Sequence, residues 1–138
     1  PAVLQVAREN AKPAGVDGRL QTIAGDAFEV EYGTGYDVAL VTNFLHHFDV
    51  ATNVRLLRKI NAALKPGGRV AILEFVPNED RVSPAIPAAF SLVMLAGTPA
   101  GDAYTFHELR DMLDQGGFGN AAQMPLPMSP QTLVIAGK

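Results

Sequence analysis

The residues best suited to chemistry are two histidines and a glutamate associated with apolar runs. His46 and His47 come shortly after the run 36–41, and Glu74 lies inside the run 71–76. An imidazole can accept a proton near neutral pH, and a carboxylate in apolar surroundings must be paired or functional because burying it alone is costly. We predict that His46 is a general base and that Glu74 orients it or binds a substrate hydroxyl. Adjacent side chains cannot both face one site, so His47 is the lesser candidate.

The same residues allow a purely structural interpretation. A single histidine at the end of a strand often makes a hydrogen bond that only stabilises the fold, and Glu74 can form a salt bridge or a helix-cap contact instead. His107 lies in the first turn of an amphipathic helix, where we expect a solvated surface residue.

A second group of candidates follows the segment 19–24, which we predict to be a short strand. Gly25 permits close backbone approach, Asp26 offers a carboxylate to an amino group, and Phe28 offers a flat apolar face, with Ala27 between them. Open parallel sheets bind ligands at the carboxyl ends of their strands, and an adenine ring would suit this set. The alternative is a turn in which Asp26 bonds its own backbone and Phe28 is simply buried.

Composition and spacing exclude several classes of function. The 138-residue chain has a net charge of −3 and a pI near 5.5, with its basic residues scattered singly, so nucleic acid is not an expected partner. It contains no Cys, which makes a reducing cytoplasm the expected location. No His or carboxylate pair has metal-site spacing, and no serine has the setting of a nucleophile elbow, so we predict neither a metal site nor a hydrolase; the serines are Ser83, Ser91 and Ser129.

Two strand patterns separated by a helix pattern must position the candidate residues. The run 36–41 is almost continuously apolar, as in a central parallel strand covered on both faces, and it delivers Thr42 and Asn43 at its carboxyl end. Apolar residues at helical spacing follow over 50–64, and a second buried strand is predicted over 70–76. Strand, helix and strand in succession predict a right-handed crossover and a parallel sheet, which is the doubly wound α/β class.

Capping signals mark the ends of the helices. Asp49 or Thr52 can cap the helix over 50–64, and the turn 65–68, Lys-Pro-Gly-Gly, ends it. Thr105 and Glu108 have the spacing of a capping box for a last helix that ends at Gly116-Gly117.

The remaining segments read as a helix, an insertion and a hairpin. An opening helix is predicted over 3–11, and two strands over 121–128 and 131–136 should pair antiparallel. The segment 77–103 holds four of the ten prolines, which is typical of a lid or an insertion that contacts substrate. Within it, the apolar stretch 85–96 is too short to cross the roughly 30 Å hydrocarbon layer of a membrane, so we interpret it as a buried or interfacial helix and expect no membrane association.

Taken in order, these motifs resemble the class I S-adenosylmethionine-dependent methyltransferases, and most closely their small-molecule O-methyltransferases. The Lys-Pro-Gly-Gly turn occurs in many class I members, whereas its combination with Leu45-His46-His47-Phe48 at this spacing is more specific. The resemblance spans nearly the whole chain and implies a Rossmann-like, mostly parallel sheet with an antiparallel terminal strand. Residues 1–138 then form part of one S-adenosylmethionine-binding domain; the segments that carry the resemblance are 25–28, 36–48, 64–70 and 105–118.

The resemblance also implies roles for individual residues. The family position that matches Asp26 contacts the adenine amino group, Ala27 contributes through its backbone, and Thr42 supports the methionine end of the cofactor; Gly25, Phe28 and Asn43 complete the predicted cofactor set. The position of His46 holds the general base in plant-type members, and Glu74 matches the acidic residue that holds that histidine. A sulfonium methyl is already activated by its charge, so no metal is needed and the protein mainly positions and deprotonates the acceptor.

Departures from the family pattern leave other functions open. Ala103 stands where plant-type members place a second acidic partner for the histidine, and His47 stands where an Asp is usual. The family's glycine-rich loop and its ribose-binding acid are expected before Pro1, which would leave unpaired strand edges and a fragment inactive by itself. A C- or N-methyltransferase of the same fold, or a non-catalytic binding or dimerisation domain, are the alternatives. The expected partners are a small-molecule acceptor and, in a homodimer, a second copy of the chain.

Overall fold

The computed structural model describes residues 2–138, which divide into two units, one ending at Gly33 and the other spanning Thr34–Lys138. The first unit begins with helix α1, Ala2–Ala11, and continues through a short 3-10 helix, Asp17–Arg19. The helix predicted over 3–11 is therefore confirmed.

The strand predicted over 19–24 is wrong. Arg19 ends the 3-10 helix, and residues 20–24 have no regular secondary structure. Alternating side chains favour an extended backbone, but a strand also needs a neighbour for its N–H and C=O groups. Among the described residues this segment joins no sheet, and Ile23 is half exposed.

The second unit is built on a four-stranded sheet. Its strands are β1, Tyr36–Thr42, β2, Leu64–Glu74, β3, Gly119–Pro125, and β4, Thr132–Gly137, and their order in the sheet is β1-β2-β4-β3. β1 pairs with β2 in parallel, whereas β4 runs antiparallel to both β2 and β3. Three strands thus share one direction and the last strand opposes them, which confirms the α/β class with an antiparallel terminal strand; the described sheet is mixed, with one parallel and two antiparallel pairings.

Three helices accompany this sheet: α2, Val50–Ala63, α3, Ala85–Gly97, and α4, Phe106–Gln115. α2 forms the crossover between β1 and β2 and contacts both β2 and α4. The core contains Leu57 of α2, Leu113 of α4 and Ile72 of β2, all with 0% exposure. Among residues 2–138, every helix falls short of the length and apolar character that a transmembrane span requires.

The predicted capping residues form the expected hydrogen bonds. The Asp49 carboxylate accepts the Thr52 N–H at 2.7 Å, and this bond lowers the pKa of Asp49. Thr105 and Glu108 form the full capping box of α4. At the other end of α2, the Lys138 ammonium donates to the carbonyls of Asn61 and Leu64, in addition to the bond that the Asn61 carbonyl accepts from the Leu64 N–H.

One strand differs from its expected environment. β1 was expected to be covered on both faces, yet it lies at the end of the described sheet, and Val38 and Leu40 are 59% and 70% exposed. Apolar, β-branched residues identify a strand by their fit to a pleated backbone, but coverage depends on which elements pack against it.

Candidate active site

A tight turn at the carboxyl end of β1 carries the histidines. The Asn43 N–H donates to the Leu73 carbonyl of β2 at 2.9 Å, and Asn43 itself has a positive φ of 51°. The chain then enters a 3-10 helix, Leu45–His47. This reversal turns the His46 side chain into the protein, where it is 5% exposed, while His47 stays exposed.

Glu74, the last residue of β2, binds this turn through both carboxylate oxygens. Its Oε1 accepts the N–H groups of Phe44 and Leu45, each at 2.9 Å, and its Oε2 lies 2.5 Å from His46 Nδ1. Glu74 is 4% exposed, so these three partners offset the cost of burying its charge. With the Nδ1 proton held by the carboxylate, Nε2 of His46 carries the lone pair that can accept a proton.

Aromatic rings surround the His46 imidazole. Phe90 of α3 meets it edge-on, with ring centroids 4.9 Å apart, and the His47 ring lies 4.3 Å away. Phe90 in turn stacks on Phe75, which directly follows Glu74, at 4.2 Å. Phe75 and Phe90 are both half-buried, and together they form an aromatic surface beside the histidine, suited to a flat apolar molecule.

Side chains behind the turn hold its carbonyl groups. Asn53 of α2, with 0% exposure, donates from Nδ2 to the carbonyls of Leu45 and Phe48 at 2.9 and 3.2 Å. The Tyr104 hydroxyl donates to the same Phe48 carbonyl at 2.5 Å, and burial raises the pKa of Tyr104 to about 12.

Gly101 touches the turn from the segment before α4. A Cβ built at this position would lie 2.1 Å from the His46 carbonyl oxygen and 3.0 Å from the His47 carbonyl carbon. Only glycine therefore permits the approach of these two backbones.

Sequence reasoning missed Asn53, Gly101 and Phe90 as contacts of the turn. Asn53 did leave a readable signal, because it shares the apolar face of α2 with Leu57 and Ile60, at spacings of four and seven residues. A polar side chain on such a buried face is expected to have a hydrogen-bond partner. Nothing local marks Gly101 or Phe90, because their contacts join residues far apart in the sequence.

Residue 103 is Ala in this chain and supplies no second acid for His46. Ala103 is fully buried, and the neighbouring Asp102 directs its carboxylate to the Ser91 hydroxyl at 2.6 Å and to Arg81 at 3.0 Å. Among the hydrogen bonds and ion pairs of the described residues, Glu74 is the carboxylate that contacts His46.

The predicted cofactor residues of the second unit lie at the end of β1. Thr42 and Asn43 are both exposed, and the Asn43 amide oxygen accepts a hydrogen bond from Gln131, just before β4. Asn43 is thus fixed by its strained backbone and by this side chain, whereas Thr42 presents its hydroxyl at the surface.

In the first unit, Gly25 to Phe28 form a turn. Asp26 is exposed and its Oδ1 accepts the Phe28 N–H at 2.8 Å, which is the bonding of the alternative interpretation. Gly25 has a φ of 147°, and a Cβ there would lie 2.3 Å from Val30 Cγ1. The hydroxyl of Tyr32 donates to the Ala27 carbonyl at 2.5 Å, and burial, with the Asp26 charge, raises the pKa of Tyr32.

Two curated relatives match almost the whole chain. The 3-hydroxy-5-methyl-1-naphthoate 3-O-methyltransferase of Streptomyces sahachiroi is 33% identical over 137 residues, which are 99% of this chain and 39% of that protein. The L-tyrosine C(3)-methyltransferase of Streptomyces lavendulae is 31% identical over 143 residues, which cover 100% of this chain and 39% of that protein. The chain therefore spans about two fifths of the length of these relatives.

Solved structures and a family match agree with these relatives. A protein of Nostoc punctiforme, provisionally named an O-methyltransferase, is 54% identical and superposes with a TM-score of 0.96 over 99% of this chain and 42% of its own. PigF of Serratia, solved with SAH, is 30% identical with a TM-score of 0.85, over 100% of this chain and 41% of its own. Residues 1–119 match the O-methyltransferase domain, and the chain belongs to that family.

Proposed function

We propose that the protein transfers a methyl group from S-adenosylmethionine to a hydroxyl of a small, flat metabolite, with His46 as the general base. The observation that carries this proposal is the buried pair of His46 and Glu74, whose facing atoms are 2.5 Å apart. The carboxylate fixes the imidazole tautomer and stabilises its protonated form, which is what a base for hydroxyl deprotonation needs. The aromatic surface of Phe75 and Phe90 supports a flat acceptor.

The chain offers groups that fit the adenosyl cofactor. Asp26 has an exposed carboxylate, of which one oxygen accepts the Phe28 N–H at 2.8 Å, and the other oxygen can accept an adenine amino group. Gly25 has no room for a side chain, so a ligand meets bare backbone there. Thr42 and Asn43 would support the methionine end. When bound, the cofactor supplies a methyl group activated by its sulfonium charge.

The protein's own residues then perform the proton chemistry. The acceptor hydroxyl gives its proton to Nε2 of His46, and the oxygen left behind is the nucleophile. The imidazolium shares its charge with Glu74 across the Nδ1 hydrogen bond. General-base help of this kind is worth on the order of a hundredfold to ten-thousandfold in rate.

A second candidate is methyl transfer to carbon or nitrogen, which does not require His46 as base. The relative that methylates tyrosine at C(3) favours it. A non-catalytic, cofactor-binding domain is a further alternative, supported by Ala103 in place of an acid.

The proposal also assigns residues 77–103 to a lid that contacts the acceptor. It includes a homodimer and a cytoplasmic location.

The test uses the protein in its natural full length. Calorimetry with S-adenosylhomocysteine measures cofactor binding, and mass spectrometry follows methyl transfer to a panel of hydroxylated aromatic compounds. We expect His46→Gln to keep S-adenosylhomocysteine affinity and to lower kcat by about a hundredfold or more. Full activity in His46→Gln would favour carbon or nitrogen methylation, and binding without turnover by the unaltered protein would favour the non-catalytic domain.

A further inference from the structure

Asn53 and Glu74 bind the His46 turn through different backbone groups. Glu74, at the end of β2, accepts hydrogen bonds from the N–H groups of Phe44 and Leu45. Asn53, in α2, donates hydrogen bonds to the carbonyls of Leu45 and Phe48. The two carbonyls bracket the histidines in sequence. The turn is therefore held through N–H groups by Glu74 and through carbonyl groups by Asn53.

The carbonyls that Asn53 binds already have other donors. The Leu45 carbonyl accepts the Phe48 N–H at 3.2 Å, and the Phe48 carbonyl accepts the Tyr104 hydroxyl at 2.5 Å. Asn53 is consequently not needed to satisfy buried backbone groups. Its two additional bonds fix the distance and angle between the carbonyls, which sets the shape of the turn.

Keeping an asparagine at this position has an energetic cost. Its Oδ1 is buried and finds no hydrogen-bond partner in the described part of the chain. An unsatisfied buried acceptor destabilises the folded state, and an aliphatic residue of similar size would avoid that cost. A cost of this kind calls for a compensating role, and the only bonds of the Asn53 side chain among the described residues hold the histidine turn.

We infer that Asn53 is a positioning residue, which fixes the His46 turn so that the imidazole keeps its hydrogen bond with Glu74. The 3-10 helix that contains His46 is only three residues long and gives the turn little support of its own. Loss of the Asn53 bonds therefore lets the turn rotate about its hydrogen bonds to the Glu74 oxygens. The His46–Glu74 bond then lengthens and Nε2 moves from its working position. The rate consequence rests on the proposed function, whereas the geometric consequence does not.

The test compares two asparagine substitutions on one helix. Asn53→Leu removes the donor and keeps the volume, and Asn61→Leu is the matched control, since Asn61 of α2 donates one bond to the Gly117 carbonyl, away from the histidine. We expect kcat of Asn53→Leu to fall about tenfold to a hundredfold, because small misplacements of catalytic groups have effects of this size. The KM values for S-adenosylmethionine and for the acceptor should stay within about twofold of those of the unaltered protein. Asn61→Leu should keep the kcat of the unaltered protein.

A spectroscopic readout works whether or not the protein transfers methyl groups. The downfield proton resonance of an Nδ1–H held by a carboxylate, assigned by its loss in His46→Gln, should disappear or broaden in Asn53→Leu and persist in Asn61→Leu. An unchanged resonance in Asn53→Leu, or a change in KM alone, would overturn the inference. Absence of turnover in every variant, including the unaltered protein, would count against the proposed function and leave the resonance to decide. If Asn53→Leu does not fold, Asn53→Ser, whose hydroxyl is too short to reach both carbonyls, should show the same loss of the resonance.

Discussion

The His46 turn and the Gly25–Phe28 turn each form hydrogen bonds to a carboxylate, Glu74 of β2 in the first and Asp26 in the second, but they are built in different ways. Glu74 is 4% exposed and its oxygens have three partners in the His46 turn, which two further side chains and a glycine also support. Asp26 is exposed and bonds one N–H two residues away. The geometry of the first site is set by the fold, whereas that of the second is set by a few consecutive residues. The proposed proton transfer would therefore use a preorganised site, whereas the proposed cofactor contact at Asp26 would lie on a turn held by local bonds alone.

The largest expected difference between the two sites is in stability. Glu74→Gln should lower the free energy of unfolding by about 3 kcal/mol, because it breaks a buried pair and turns an amide N–H₂ toward existing donors. Asp26→Asn should stay within about 0.5 kcal/mol, as exposed substitutions usually do. Urea unfolding of both variants measures the two values. Equal losses would show that the exposed turn is as firmly built as the buried one.

The second prediction concerns the glycine that abuts His46. Gly101→Ala should destabilise the protein by about 1–3 kcal/mol and reduce kcat, because the new Cβ must displace the His46 carbonyl. Gly97→Ala is the matched control, since a Cβ at Gly97 meets no atom within 4 Å. Thermal unfolding and turnover are measured for both. A Gly101→Ala protein with unchanged stability and kcat would mean that the turn shifts easily and is not rigid.

A third prediction compares two tyrosines that each donate to a carbonyl at 2.5 Å, Tyr104 in the His46 region and Tyr32 beside the exposed turn. Tyr104→Phe should lower the free energy of unfolding by about 1 kcal/mol. Tyr32→Phe should lower it by less, because Tyr32 is more exposed.

The pKa of Tyr104 adds an alkaline signature to this comparison. Its folded value of about 12 lies above the unfolded value of about 10. The neutral phenol is therefore favoured in the folded state, and its contribution is complete below pH 10 and is lost as the pH rises toward 12. The free energy of unfolding, measured from about pH 9 to about pH 12, should fall less steeply with rising pH for Tyr104→Phe than for the unaltered protein. Parallel curves would contradict a buried, neutral Tyr104.

The smallest effect on stability should come with a visible effect on binding. Asp26→Ala should leave the free energy of unfolding within about 0.5 kcal/mol and weaken S-adenosylhomocysteine about tenfold, the equivalent of one lost hydrogen bond. Calorimetry gives the affinity, with Glu29→Ala, an exposed neighbour, as the control. An unchanged affinity would remove Asp26 from the proposed cofactor set.

Local signals predicted most of the elements, and long-range pairing explains the errors. The caps at Asp49 and Thr105 were readable because each bond spans three residues. The segment 19–24 has a strand pattern but no neighbouring strand among the described residues, which no local pattern reveals. His46 and Glu74 were predicted as a pair, since both follow or end apolar runs. Gly101 was missed because its contact with His46 crosses 55 positions of sequence.

The place of β4 in the sheet has a consequence for synthesis on the ribosome. β4 is the last of the described strands in sequence order, yet it lies between β2 and β3 and supplies a hydrogen-bonding neighbour to each. Until residues 132–137 leave the exit tunnel, one edge of β2 and one edge of β3 have no partner in this sheet. Pairing over such sequence distances is slow and leaves strand edges open to aggregation. The nascent chain therefore cannot complete this sheet until residues 132–137 have been synthesised and have left the tunnel.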